Sequence, residues 1–185
     1  MPTILTAGDA VSNSSSLAGA NDGALNIIVG PAGSKVAAIT IDALGRVAMP
    51  LNVVAFSAFP TSNQSITSGA FARVTLQAEE FDTANYFDAV TNSVFQPLVA
   101  GYYLINGMVA ISTTSTNVIC SIFKNNVEFK RGQQTGTSSN AGVSTLMFFN
   151  GSTDFVDMRV FLGLTQTLSG APAQTYFQGY LVAKA

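Results

Sequence analysis

The 185-residue chain contains no histidine, no tryptophan and a single cysteine. Without histidine there is no Ser-His-Asp triad, no Cys-His pair, no imidazole metal ligand and no imidazole general base. One cysteine excludes an intrachain disulfide framework. Cys120 stands in VICSIF (118–123), and among those neighbours it reads as a small buried hydrophobe. Charge is also scarce: Asp, Glu, Lys and Arg make up 10% of the residues, against about 25% in an ordinary soluble domain. The basic residues are scattered, and Lys124, Lys130 and Arg131 form the one local group. That is too little for phosphate-driven nucleic-acid binding. No apolar run approaches the roughly 18 residues of a membrane-spanning helix, so no membrane insertion is expected. The opening MPTILTAGDAVSNSSS has neither a basic start nor a long apolar stretch, which predicts no secretory leader. GPAGSK (30–35) lacks the spacing of a phosphate-binding loop. Nothing points to the paired carboxylates of glycoside hydrolysis.

What the chain does have is apolar residues, at 48%, and many Ser, Thr, Asn, Gln and Gly. So few charges over so much apolar material suit a subunit that hides surface in an oligomer. Residues 1–23 show no periodicity and read as an extended arm. Short strand signals follow at LNIIVG (25–30), KVAAITID (35–42) and RVAMP (46–50), with turns at GPAG (30–33) and Gly45. Pro50 and Asn52 mark a boundary, which gives an N-terminal β-rich region over 1–50 and a head over 51–185.

Within the head, strand signals recur about every ten residues. They are VVAFSAF (53–59), FARVTLQAEEF (71–81), SVFQPL (93–98), GYYLINGMVAIS (101–112), NVICSIFK (117–124), VEFKR (127–131), AGVSTLMFFN (141–150), DFVDMRVFLGL (154–164) and TYFQGYLVA (175–183). Asn125-Asn126 fits a two-residue hairpin turn, because Asn tolerates positive φ. No stretch combines helical periodicity with caps. The fold class is therefore all-β, a sandwich or barrel. Thr113, Thr114, Ser115, Thr116 and Asn117, together with Gln133, Gln134, Thr135, Ser138 and Asn140, fall in polar stretches read as loops. Such loops tolerate change while carrying recognition, which makes them candidates for contact with a receptor.

Four pieces in order give the head a resemblance. They are AFSA (55–58), the run from Phe81-Asp82 through Tyr86 to FQPLVAGYY (95–103), FKNNVEF (123–129) and TYFQGYLVA (175–183). Together they resemble the globular heads of complement component one-q and the related tumour-necrosis-factor-like jelly rolls. The resemblance implies a jelly-roll β-sandwich of about ten strands that forms a tight homotrimer. It places the Gly-Tyr-Tyr and Phe-x-Gly-Tyr strands in the inner sheet, so Tyr102, Tyr103, Phe177 and Tyr180 are the candidates for the trimer interface. Alternation sends Tyr102 and Tyr103 to opposite faces, and likewise Phe177 and Tyr180 unless Gly179 carries a bulge. The family often binds calcium near its axis. Glu80 and Asp82, which share a face of an extended strand while Glu79 points away, are weak candidates for such a cation.

No collagen-like Gly-X-Y stalk precedes the head. ITIDALGRVAMP (39–50) instead resembles the element that leads into the head domain of bacteriophage tail fibres and other virion fibres. This pairing implies a structural protein on the outside of a phage particle, in tail or capsid. Residues 1–50 would attach it to other virion proteins, and the head would bind a host cell-surface receptor or decorate the shell. The alternative is a secreted recognition module of the complement-head kind. Neither reading makes the chain an enzyme.

Overall fold

The computed structural model describes residues 5–7, 15–19, 25–29, 36–48 and 54–185; the side chains of 5–7, 15–19, 29, 36–38, 48 and 133–136 are left aside. All regular structure among the described residues is β. Contacts divide the chain into two compact units, Met1–Val53 and Val54–Ala185. The expected boundary at Pro50 and Asn52, and the GPAG turn, lie outside the described residues.

The smaller unit is a five-stranded antiparallel meander: β1 (Leu5–Ala7), β2 (Ser15–Gly19), β3 (Leu25–Val29), β4 (Val36–Ile41) and β5 (Val47–Ala48). The first two strands fall in the stretch read as an unpatterned arm. Ladder pairing with β3, not side-chain alternation, defines β2. The β4–β5 turn is clasped by one carboxylate. Asp42 Oδ1 accepts from Leu44 N and Arg46 N, each at 2.9 Å, and Arg46 Nε donates to Oδ2 at 2.6 Å. Gly45 turns the chain at φ 77°. The backbone N–H of Arg46, ahead of its guanidinium, holds the Asp42 carboxyl below the usual range.

The larger unit contains β6 (Ala55–Phe59), β7 (Gln64–Ile66), β8 (Ala72–Arg73), β9 (Ala78–Asp82), β10 (Phe87–Asp88), β11 (Val94–Phe95), β12 (Gly101–Lys124), β13 (Val127–Phe149), β14 (Val156–Leu162), β15 (Gln166–Leu168) and β16 (Tyr176–Lys184). They form a nearly closed, barrel-like sandwich of the jelly-roll kind. Its spine is the β12–β13 hairpin, which turns at Asn125 and Asn126 with φ 51° and 67°. Both strands pass through the two layers. The first half of β12 and the second half of β13 lie with β16, β6 and β9 in one sheet. The other halves pair near the hairpin tip, where β14 adds to β12 and carries β8 and β11.

The two polar stretches read as loops are therefore corrected. Thr113–Asn117 and Gln133–Asn140 are strand segments, with Ser115 opposite Ser138 and Asn117 opposite Thr135. Register shifts on both sides of Ser115 bend the ribbon there from one layer to the other. Conversely, the single strand expected over 71–81 is two short ones, β8 and β9, which pair with different partners.

Between the layers lies an aromatic core. Phe56 stacks on Phe95 at 4.2 Å and on Phe87 at 5.2 Å between ring centroids, and meets Phe177 edge-on at 5.1 Å. Tyr103 packs edge-on against Phe149, and its hydroxyl donates to Val99 O at 2.9 Å. Each such ring, fully buried, contributes about 2–3 kcal/mol. Cys120 is buried among apolar groups, which push its thiol up.

Candidate functional site

Strand alternation decides what the β12-side sheet shows to solvent. Tyr103, Ile105 and Val109 point inward from β12, and Met147 and Phe149 from β13. Their neighbours Tyr102, Leu104 and Met108, and Leu146 and Phe148, point outward. Tyr102 sits between Phe148 and Ala183 in register, and Leu104 between Leu146 and Tyr180. Tyr102 and Phe148 bring their rings to 5.5 Å. Exposure is 48% for Tyr102 and Tyr180, 55% for Leu146 and 41% for Phe148. These residues form one apolar patch, with Phe81 of β9 on the same layer. Next along the face comes a polar band, Asn106 between Ser144 and Gln178, and then Met108 between Gly142 and Tyr176.

Of the four residues singled out for an interface, Tyr102 and Tyr180 lie on this outer face. Tyr103 and Phe177 are wholly buried in the subunit's own core. Gly179 carries no bulge, since its register with Ile105 is regular. The irregularity falls instead between Tyr102 and Tyr103. Leu146, Phe148 and Phe81 complete the patch. The signal for the first two is the alternation in LMFFN once it is paired with GYYLI.

Glu80 and Asp82 hold local structure. Ser57 Oγ donates to Glu80 Oε2 at 2.8 Å. Asp82 accepts from Ala84 N at 3.1 Å and Phe87 N at 2.7 Å. A register shift between Ser57 and Ala58 breaks the strict alternation expected of β9. As a result Glu79, expected to point away, interacts with Asp82. Burial, then that repulsion, pushes its carboxyl up. No group of three metal-ligating acidic or sulfur side chains occurs among the described residues.

The candidates for receptor contact sit where the ribbon bends. Thr113 Oγ1 donates to Gln166 Oε1 at 2.6 Å. Ser115 is buried; its hydroxyl donates to Asn117 O at 3.3 Å and accepts from Leu164 N at 3.2 Å. Asn117 Oδ1 is buried without a partner. Thr114 and Thr116 are exposed. Ser138 Oγ donates to Asn140 O at 3.0 Å. The side chains of Gln133, Gln134 and Thr135 lie outside the described residues.

No protein-family model matches the chain, and no curated protein matches it. Solved structures do. An Eiger TNF from S. frugiperda superposes with a TM-score of 0.59 at 11% identity, over 72% of this chain and 95% of that one. Murine APRIL at pH 5.0 superposes with a TM-score of 0.57 at 11% identity, over 71% of this chain and the whole of that one. At this identity the likeness is one of fold: the larger unit is a tumour-necrosis-factor-like jelly roll.

Proposed function

We propose that the chain is a non-enzymatic structural protein of a bacteriophage particle, a homotrimer attached through residues 1–50. Its head is displayed for contact with a host receptor or for decoration of the capsid. The observation that carries the assembly is the apolar patch of Tyr102, Leu146, Phe148 and Tyr180. These large side chains stand in solvent in one subunit, side by side on one sheet. A patch of that kind on a chain so poor in charge calls for a covering surface. Second and third copies of the chain are the covering that the jelly-roll resemblance supports. The virion location rests on ITIDALGRVAMP, in which Asp42 clasps the β4–β5 turn through Leu44 and Arg46. Light scattering at micromolar concentration should give three times 19.2 kDa, and antibody to the head should decorate phage particles in electron micrographs. A folded monomer would remove the assembly, and unlabelled particles would remove the location.

A further inference from the structure

The second sheet carries an open trough. Two adjoining cavities of about 400 and 340 Å³ share Asn92, Val94 and Gln96, and so run together along β10, β11 and the start of β14. We propose that this trough binds a saccharide that bears a carboxylate. The proposal is independent of the assembly and location argued above.

The polar lining is made of amides held at one end. Asn92 Nδ2 donates to Asp88 Oδ2 at 2.9 Å, Gln96 Nε2 donates to Ser152 O at 2.9 Å, and Asn126 Oδ1 accepts from Arg159 Nη2 at 2.7 Å. The opposite ends, two carbonyl oxygens and one NH2 group, take part in no hydrogen bond among the described residues. An array of fixed acceptors and donors matches sugar hydroxyls, each of which is donor and acceptor together. Tyr86 at one end and Phe155 at the other add apolar surface to the lining. Phe155 is held by its backbone: its N–H donates to Asn125 Oδ1, and its carbonyl accepts from Asn125 N, both at 3.0 Å.

Charge specifies the carboxylate. Arg73 Nη2 and Arg159 Nε and Nη2 all donate to the fully buried Asp157, at 3.0, 2.6 and 3.0 Å. Two guanidiniums thus share one carboxylate beside the second cavity. Arg73 Nη1 reaches only the backbone oxygen of Asn92, at 3.2 Å, and Nε is shut from solvent with no partner. Arg73 lines the second cavity and its side chain is about one-third exposed, so the outer edge of its guanidinium is the charged group that a ligand there can reach. Asp88, at the other end, already accepts from Val90 N, Thr91 N and Asn92 N.

The test is an NMR titration of the intact, isotope-labelled protein with glucuronate, glucose and acetate. Arg73 is left unchanged, since its removal would strand Asp157. Glucuronate should shift the side-chain amides of Asn92, Gln96 and Asn126 saturably. Glucose and acetate should each bind at least about tenfold more weakly, for want of the charge or of the hydroxyls. Gln96→Ala and Asn126→Gly should each weaken glucuronate binding about fivefold, one hydrogen bond's worth, with the melting temperature lowered by no more than a few degrees. No saturable shift, binding of glucose or acetate as tight as that of glucuronate, or shifts confined to other surfaces would overturn the proposal.

Discussion

Tyr102 and Tyr103 are adjacent in sequence and turn to opposite sides of one sheet. Tyr103 is buried, with its hydroxyl on Val99 O at 2.9 Å, while Tyr102 stands 48% exposed against Phe148. The same substitution at the two sites should therefore report different things. Tyr103→Ala opens a cavity between Phe95 and Phe149 and should lower the head's folding stability by about 3–5 kcal/mol. Tyr102→Ala removes nothing from the core, so subunit stability should hardly move. Instead it should raise the concentration at which the trimer dissociates by more than tenfold, at about 2 kcal/mol of apolar burial per chain. Urea denaturation and sedimentation equilibrium separate the two. Equal effects of both variants on both readings would remove the distinction between core and interface.

Gly179 is enclosed on its inward side. A Cβ there would lie 2.6 Å from Ile105 Cδ1, 2.8 Å from Leu104 O and 3.0 Å from Phe56 Cε1. One of those contacts is backbone and another belongs to the stacked aromatic core, so neither yields cheaply. Gly179→Ala should cost about 1–3 kcal/mol in a urea midpoint, the range for overpacking. Gly69→Ala is the comparison: its Cβ would meet nothing within 4 Å, and any cost there comes from its φ of 86°.

Asp157 is the one carboxylate between Arg73 and Arg159, and its side chain is fully buried. Replacing it by Asn keeps the volume and leaves two guanidiniums without their counter-charge. Asp157→Asn should destabilise by about 3–5 kcal/mol. Arg131→Ala, at the exposed pair with Glu128, should shift the denaturation midpoint far less. Comparable shifts for the two variants would mean that the buried cluster is better solvated than its geometry indicates.

The contrast between these sites also explains what the sequence could reveal. The Asn125-Asn126 hairpin was legible because turn chemistry is local: two Asn residues with positive φ between alternating strands have few other readings. Period-two alternation put Tyr102 and Tyr103 on opposite faces, and likewise Phe177 and Tyr180; which of each pair faces outward depends on the pairing of the strands and was not legible. Thr113–Asn117 and Gln133–Asn140 were misread because Ser, Thr and Asn there carry no alternation. What makes them strands is each other, through pairs such as Ser115 with Ser138, 23 residues apart, that composition does not encode. The bulge beside Ala58 was invisible for the same reason. It depends on the register between β6 and β9, and it undid the face assignment of Glu79. The trough was missed because its lining comes from five separate stretches of chain, none of which is a motif alone.

Acid should reach the hairpin tip through Asp154. Burial raises this carboxyl, but bonds from Lys124 Nζ (2.8 Å), Asn125 Nδ2 (2.7 Å) and Asn150 N (3.0 Å) outweigh it and leave the pKa lowered. A carboxyl lowered in the folded state stabilises fully above its unfolded value, near 3.9. That contribution is lost as pH falls through the lower folded value. Below about pH 4 the amides of 125–126 and 150–155 should thus exchange faster with solvent, ahead of the core strands. Asp154→Asn should flatten this acid dependence of the denaturation midpoint. Glu79 has the opposite sign. Burial and Asp82 raise its carboxyl, so its ionised form is disfavoured in the fold, and stability falls as pH rises from the unfolded value toward the folded one. Glu79→Gln should therefore stabilise the protein at neutral pH and gain nothing in acid. Midpoints for both variants across an acid-to-neutral series test the pair of signs, and an unaltered acid limb in Asp154→Asn would show that the tip is held by the Asn125 turn alone.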